Sequence, residues 1–151
     1  MSNFPLAVRI LPMDSKHEPD FGGQSAEQVQ HEYFLGILLA RTRPPGKYWY
    51  RKQGLNAQPG TVVLFQFAGK IIASATLDRV QPFKVPDGPN KDYKGALHFI
   101  PSSIKVFEPM GLEIIRAIWP NVSRFGRAKW SLDPDGYAEF ERKLTGVETP
   151  H

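Results

Sequence analysis

The sequence has no cysteine, which excludes disulfides, thiolate zinc sites, iron–sulfur clusters and a cysteine nucleophile. It also has no apolar run of the ~18 to 20 residues that a membrane-spanning helix needs. The amino terminus lacks a secretory-signal layout, because Asp14, Glu18 and Asp20 follow soon after the first apolar stretch. These absences predict a soluble, cytoplasmic protein with no membrane partner.

Motifs for metal, phosphate and nucleophilic chemistry are missing as well. The four histidines do not occur in a metal-binding spacing, and neither a Gly-rich phosphate loop nor a G-x-S-x-G nucleophile motif is present. Asp133 and Asp135 fit the start of a helix better than a catalytic pair. We therefore predict no metal and no cofactor, and we favour a binding function over an enzymatic one.

The chain has 151 residues, of which 41% are hydrophobic and 12% aromatic, so it is long enough to bury a core of its own. We predict a single domain over residues 1–151. Residues 1–24 form a strand-and-loop lead-in to it, and residues 145–151 are a frayed tail.

The basic residues are concentrated in two segments that contain no acid, although the whole chain carries a net charge of only +4. The first spans residues 41–52 (RTRPPGKYWYRK), and the second spans residues 116–130. Like charges at this density repel each other, so a polyanion would stabilise them. The alternative is that they are solvated loop and strand ends. The residues predicted to contact phosphates are Arg41, Arg43, Lys47, Arg51, Lys52, Arg124, Arg127 and Lys129.

Three consecutive aromatic residues, Tyr48, Trp49 and Tyr50, stand between Lys47 and Arg51. In an extended strand the two tyrosines share one face, and the other three residues share the opposite face. Aromatic rings stack on exposed bases, each stack contributing about 1–3 kcal/mol. This pattern predicts capture of a single-stranded or flipped base. The alternative is an ordinary strand with Trp49 in the core and the tyrosines half-buried.

Two further aromatic positions extend this prediction. Trp130 follows Lys129 and is a candidate second wall of the base pocket, although a core position is slightly favoured for it. Residues 81–95 contain three prolines and two glycines, which indicates a long loop. Phe83 and Tyr93 in that loop are candidates for filling the vacancy that an extruded base leaves.

Local patterns predict an α+β fold built on a curled sheet or small barrel. Ser25 and Gln28 form a capping-box pattern that starts a first helix. Ala68 and Gly69 predict a tight turn in a hairpin, whose second strand is expected to place Ile71 and Leu77 on one face. The predicted strands are residues 4–11, 61–67, 70–80, 95–100, 103–107 and 127–132. Later helices are predicted at residues 111–119 and after Asp133, where Pro134 takes the first helical position.

Several of these segments together resemble the PUA-like superfamily, which includes the ASCH, EVE and YTH domains. The resemblance rests on Gly46 and Lys47 before a strand, Pro59 and Gly60 before TVVLFQF, the following GKIIASATLDRV, and the closing GRAKWSLDPDGYAEFERKL. It implies a PUA-like small mixed β-barrel with flanking helices. It also implies a domain that engages RNA or modified bases.

The chain departs from the ASCH pattern directly after Lys47, where an acidic residue is expected and aromatic residues stand instead. Only Lys47 and Arg51 match positions of that pattern. The main hypothesis is a nucleic-acid-binding module, for DNA or RNA, that captures a plain or modified base in an aromatic pocket. One alternative is a small ASCH-like hydrolase that acts on modified nucleosides or RNA through Lys47. The other is a protein-interaction module.

Overall fold

The structure is a computed structural model that describes residues 5–16, 21–40, 47–50, 55, 57–82, 95–126 and 129–150. The described residues form a mixed α+β fold with one seven-stranded sheet and three helices. The strands are β1 (Val8–Pro12), β2 (Lys47–Tyr50), β3 (Val62–Phe67), β4 (Lys70–Pro82), β5 (Gly95–Phe99), β6 (Lys105–Met110) and β7 (Ser131–Leu132).

Strand β4 organises the sheet, whose strand order is β2-β5-β4-β3-β1-β7. The first half of β4 pairs with β3 on one edge and with β6 on the other, and its second half pairs with β5. Between β5 and β6 lies the short 3-10 turn Pro101–Ser103, where Ser103 Oγ accepts a hydrogen bond of 2.7 Å from the Thr76 amide. Strand β1 runs parallel to β3 and antiparallel to β7.

Within the described residues the strand pairing leaves the sheet open, because β2 and β7 each pair with only one strand. The α+β class predicted from the sequence is confirmed. The closed barrel stays a prediction.

The β3–β4 hairpin is confirmed, and its turn has the geometry that a two-residue connection needs. Ala68 and Gly69 have φ values of 50° and 82°, so both central residues lie in the left-handed region that matches the twist of the flanking strands. The predicted alternation along β4 is wrong at its start. Ile72 is skipped between the β3 pairs Phe65–Ala73 and Gln66–Ile71, so Ile71 and Leu77 face opposite sides of the sheet.

Two hydrophobic clusters cover the two faces of the sheet. Strand β3 shows the division, because Val63 and Phe65 belong to one cluster while Val62 and Leu64 belong to the other. The first cluster includes the amino-terminal helix, which consists of Ala26–Gln28, a π-helical Val29–Ile37 and Leu38–Ala40. The second includes the middle helix Leu112–Ile118 and the carboxyl-terminal helix Tyr137–Lys143.

The start signals of the helices act as predicted. Ser25 Oγ accepts from the Gln28 amide at 3.1 Å, and the Gln28 side chain accepts from the Ser25 amide at 2.8 Å, so the capping box is confirmed. Asp133 accepts from the Asp135 amide, and Pro134 begins a 3-10 turn that leads into the last helix. In the part of the chain that the structure describes, no helix has the length and apolar character to cross a membrane.

The carboxyl-terminal segment is paired with β6, so the prediction that it is frayed is wrong for the described residues. Val106 and Glu148 exchange two backbone hydrogen bonds of 3.0 and 2.9 Å, and the Glu108 amide donates to the Thr145 carbonyl at 2.9 Å. The Glu148 carboxylate also contacts His31 Nε2 at 2.7 Å. Backbone hydrogen bonds hold most of this segment. Its pairing therefore leaves no periodic side-chain pattern from which the sequence could have predicted it.

The buried Tyr137 makes the fold sensitive to alkaline pH. Burial, together with the nearby carboxylate of Glu141, raises the pKa of Tyr137 to about 12 from its ordinary 10.0. The unfolded chain therefore loses this proton first, and the free energy of unfolding falls as the pH rises from 10 towards 12. Urea denaturation of Tyr137→Phe over this interval should show a smaller fall than in the wild type. Parallel curves for the two proteins would remove Tyr137 as the cause.

Candidate nucleic-acid interface

Tyr48 lies in the core, which corrects its assignment as a base-stacking residue. Only 7% of the residue is exposed. Its ring centroid lies 5.8 Å from that of Phe65, 6.2 Å from that of Tyr33 and 6.3 Å from that of Phe21. These neighbours occupy the space around the ring, so Tyr48 has a packing role.

Tyr50 is half-buried at the end of β2 and packs against the same cluster as Tyr48, as the strand alternation predicted. Burial raises the pKa of the Tyr50 phenol. Tyr50 pairs with Gly95 across the sheet, and a Cβ atom at Gly95 would collide with the Tyr50 ring and hydroxyl. The ring thus fits where position 95 has no side chain, and part of it remains accessible.

Of the other site residues predicted from the sequence, some lie in β2 and others lie outside the residues that the structure describes. Lys47 and Trp49 are strand positions that pair with His98 and Ala96, respectively. The predicted residues that lie outside the described ones are Arg41, Arg43, Arg51, Lys52, Phe83, Tyr93 and Arg127.

The second basic segment is tied to β1 through Trp130. The half-buried Trp130 packs against the second hydrophobic cluster, and its carbonyl accepts from the Ile10 amide at 3.0 Å. Its indole Nε1 donates to the Arg124 carbonyl at 2.9 Å, which holds the loop that precedes it. Gln66 of β3 donates from Nε2 to the Gly126 carbonyl at 3.0 Å. The basic loop is therefore anchored to the sheet at several points.

Arg9 of β1 lies beside the second basic segment, and the sequence did not predict it as a site residue. Its guanidinium donates from Nε to the Trp130 carbonyl at 3.2 Å and from Nη2 to the Lys129 carbonyl at 3.0 Å. Burial and the positive charge of Arg9 both lower the pKa of Lys129. The available signal was a single charge within the apolar run FPLAVRIL, but its partners lie about 120 residues away in the sequence.

The structure does not bring the two predicted aromatic walls into one described contact. Tyr50 packs against the first hydrophobic cluster and Trp130 against the second. In the strand order, β2 and β7 stand at opposite ends. The molecule therefore has two candidate regions. One is the Arg9–Trp130 surface, which consists of Arg9, Arg124, Lys129 and Trp130, and the other is the β2 surface, which consists of strand β2 (Lys47–Tyr50).

His98 of β5 is a buried polar residue next to β2, and the sequence did not predict it as a site residue. His98 is only 1% exposed, and its Nε2 lies 2.7 Å from Gln81 Oε1. In the sheet register Arg79 pairs with His98, which in turn pairs with Lys47. The sequence alone predicted His98 to be a packed or hydrogen-bonded histidine, and the contact with Gln81 confirms this.

A grouping of three or more potential metal ligands from histidine and acidic side chains does not occur among the described residues. Arg9, Arg124 and Lys129 supply cationic groups to the described surface, and Tyr50 and Trp130 supply partly exposed aromatic rings. These groups suit the recognition of phosphates and bases.

Comparison with solved structures shows which fold this is. The chain is similar to the crystal structure of ASCH from Zymomonas mobilis, with a TM-score of 0.54 and 10% sequence identity over 91% of this chain and 96% of that one. Neither a family model nor a curated protein matches the sequence. The chain therefore shares the fold of that ASCH structure.

Proposed function

We propose that this protein is a nucleic-acid-binding module whose Arg9–Trp130 surface contacts the phosphate backbone. The observation that supports this most directly is the proximity of Arg9 and Lys129. Arg9 Nη2 donates to the Lys129 carbonyl at 3.0 Å, so two basic residues lie side by side and an approaching phosphate would interact with both of them. The ASCH-type fold is compatible with this function.

The guanidinium of Arg9 is already oriented before a ligand arrives. Two backbone carbonyls accept from it, and these belong to Lys129 and Trp130 of the same anchored loop. A fixed cation loses less conformational freedom on binding than a mobile one. Exposed Arg124 stands in the same loop, and among the described residues no carboxylate pairs with its side chain. We assign phosphate contacts to Arg9, Arg124 and Lys129.

The other basic residues continue the proposed backbone path, and aromatic residues of the two surfaces bind bases. Half-buried Trp130 is the described stacking candidate on the Arg9–Trp130 surface, and half-buried Tyr50 is the one on the β2 surface. Trp49 and Phe83 complete the proposed base-binding set, which allows a plain or a modified base. The further phosphate contacts that we propose are Arg41, Arg43, Lys47, Arg51, Lys52 and Arg127.

A titration of labelled single- and double-stranded DNA and RNA, followed by fluorescence anisotropy at several salt concentrations, tests this function. Part of the set carries methylated or hydroxymethylated cytosine or methylated adenine. We expect log K to fall linearly with log salt, with a slope of roughly −0.7 to −0.9 per phosphate contact. An affinity that does not change between low and moderate salt would overturn the proposal.

Charge-removing variants identify the surface. Lys129→Gln and Arg124→Gln should each weaken binding and reduce the magnitude of the salt slope by about one contact. Lys70→Gln removes the same charge at the exposed start of β4 and serves as the matched control.

The same variants must remain folded for this comparison. Urea denaturation of each variant at neutral pH checks that it is folded to the same extent as the wild type. Equal affinities for Lys129→Gln, Arg124→Gln and Lys70→Gln would exclude the Arg9–Trp130 surface as the binding surface.

A further inference from the structure

The contact between His98 and Gln81 fixes which polar atom of the Gln81 amide remains available. In the orientation that the structure gives the Gln81 amide, Oε1 lies 2.7 Å from His98 Nε2 and can only accept, so this contact requires the His98 tautomer that has a proton on Nε2. His98 is buried in β5, so the amide oxygen is turned towards the sheet. Within the described structure no acceptor pairs with the amide nitrogen of Gln81, and the residue is half-exposed.

A β-bulge explains why Gln81 has this position. The pairing of β4 with β5 goes from Leu77–Phe99 to Arg79–His98 and leaves Asp78 as an extra residue. Leu77 before the bulge and Val80 after it both pack against the first hydrophobic cluster. The alternation is thereby shifted by one residue, and Gln81 is directed to the face opposite that cluster. Bulges commonly re-aim side chains beside functional sites.

Gln81 lies near an exposed arginine, and one strand, β5, separates it from β2. Exposed Arg79 lies two residues before Gln81 on the same face of β4. In the register, Gln81 pairs with Ala96 and Ala96 with Trp49. An amide donor on the same face as an arginine, and in register through Ala96 with strand position Trp49, forms a suitable combination for reading the edge of a stacked base.

We infer that Gln81 reads the base in the proposed complex by donating from its amide nitrogen to a keto oxygen, and that His98 is its positioning residue. The inference rests on the nucleic-acid-binding function proposed above and deepens it. Uracil and thymine present O4 and guanine presents O6 as acceptors, whereas cytosine and adenine present an amino group at the corresponding position. With its oxygen held by His98, Gln81 selects keto bases.

Oligouridine and oligocytidine test this selection, because uracil has a keto oxygen at C4 and a proton on N3, whereas cytosine has an amino group at C4 and no proton on N3. We would measure both affinities by anisotropy with strands of about 12 nucleotides, a length within the usual site sizes of single-strand-binding domains. Oligouridine should bind about 5- to 100-fold more tightly, which corresponds to the discrimination of one well-placed base contact.

Variants separate the reading residue from its positioning residue. Gln81→Ala should abolish the preference, and Gln81→Glu should invert it, because a carboxylate accepts from the cytosine amino group. His98→Phe should reduce the preference ratio while leaving the salt slope unchanged, since the freed amide can rotate. Gln58→Ala removes an exposed glutamine in the turn before β3 and is the matched control.

The outcomes distinguish this inference from the function on which it rests. Salt-dependent binding with equal affinity for the two strands, or a preference that survives Gln81→Ala, would overturn the reading role of Gln81 only. Salt-independent binding of all strands would overturn the proposed function, and the inference with it. A preference ratio in His98→Phe equal to that of the wild type would remove His98 as the positioning residue.

Discussion

Gln30→Ala is expected to lower the free energy of unfolding by about 2–4 kcal/mol, because two buried carbonyl groups lose their donor. Gln30 lies in the π-helical segment and is only 6% exposed. Its Nε2 donates to the Ile72 carbonyl at 2.9 Å and to the Phe107 carbonyl at 2.5 Å. One side chain thus connects the amino-terminal helix to two strands of the sheet.

The two carbonyls need this donor because the sheet is irregular at that point. The β4–β6 register goes from Ile71–Met110 to Ala73–Val106, so Ile72 and Phe107 fall within the interruption. The amide of Gln30 supplies hydrogen bonds that a regular ladder would otherwise provide. Substitution by alanine leaves both carbonyl oxygens buried and also creates a cavity.

Urea denaturation followed by circular dichroism measures this effect as a lower midpoint at an unchanged m-value. Gln28→Ala is the matched control on the same helix, since it removes an exposed glutamine and loses only the capping-box bond from the Ser25 amide to Gln28 Oε1, about 1 kcal/mol or less. Similar losses in the two variants would contradict the role assigned to Gln30.

Gln30→Glu adds a test that depends on pH. An ionised carboxylate has no donor, whereas a protonated one has a single O–H group. Burial is expected to raise the pKa of the new carboxyl in the folded state. The free energy of unfolding of the Gln30→Glu variant should therefore increase as the pH falls through that pKa. A pH dependence identical to that of the wild type would show that position 30 does not donate in the folded protein.

The features that the sequence predicted correctly depend on neighbouring residues. The capping box joins Ser25 to Gln28, and the hairpin turn needs only Ala68 and Gly69 between two β-branched strands. The shared face of Tyr48 and Tyr50 follows from the two-residue period of a strand. Each of these signals lies within a few residues of its effect.

The features that it did not predict depend on distant partners or on a single inserted residue. Alternation places the two tyrosines on one face, but the rings of Phe21 and Tyr33 decide that this face is the core. Arg9 belongs to the candidate interface only because the loop before β7 returns to β1. The bulge at Asp78 changes which residues of LDRVQP face the core without changing the composition of the strand.

Gly95→Ala is expected to lower the free energy of unfolding by about 1–3 kcal/mol, as overpacking of a well-filled site does. A Cβ atom there would collide with the ring of Tyr50 from β2 and would lie 2.6 Å from the Gln81 carbonyl of β4. The Tyr50 ring could move, but the Gln81 carbonyl is backbone and its displacement would disturb the β4–β5 pairing. Gly36→Ala is the control, because its Cβ would meet only one atom, at 3.5 Å.

The Gly95 substitution also connects the stability of the sheet with the proposed base contact. It displaces Tyr50 on one neighbouring strand and Gln81 on the other, so the preference for oligouridine should fall together with stability. Tyr50→Ala in the Gly95→Ala background should recover only part of the lost stability, because the clash with the Gln81 carbonyl remains. Full recovery in the double variant would show that the Tyr50 ring alone makes glycine necessary. A preference unchanged in Gly95→Ala would indicate that this part of the sheet does not hold the base.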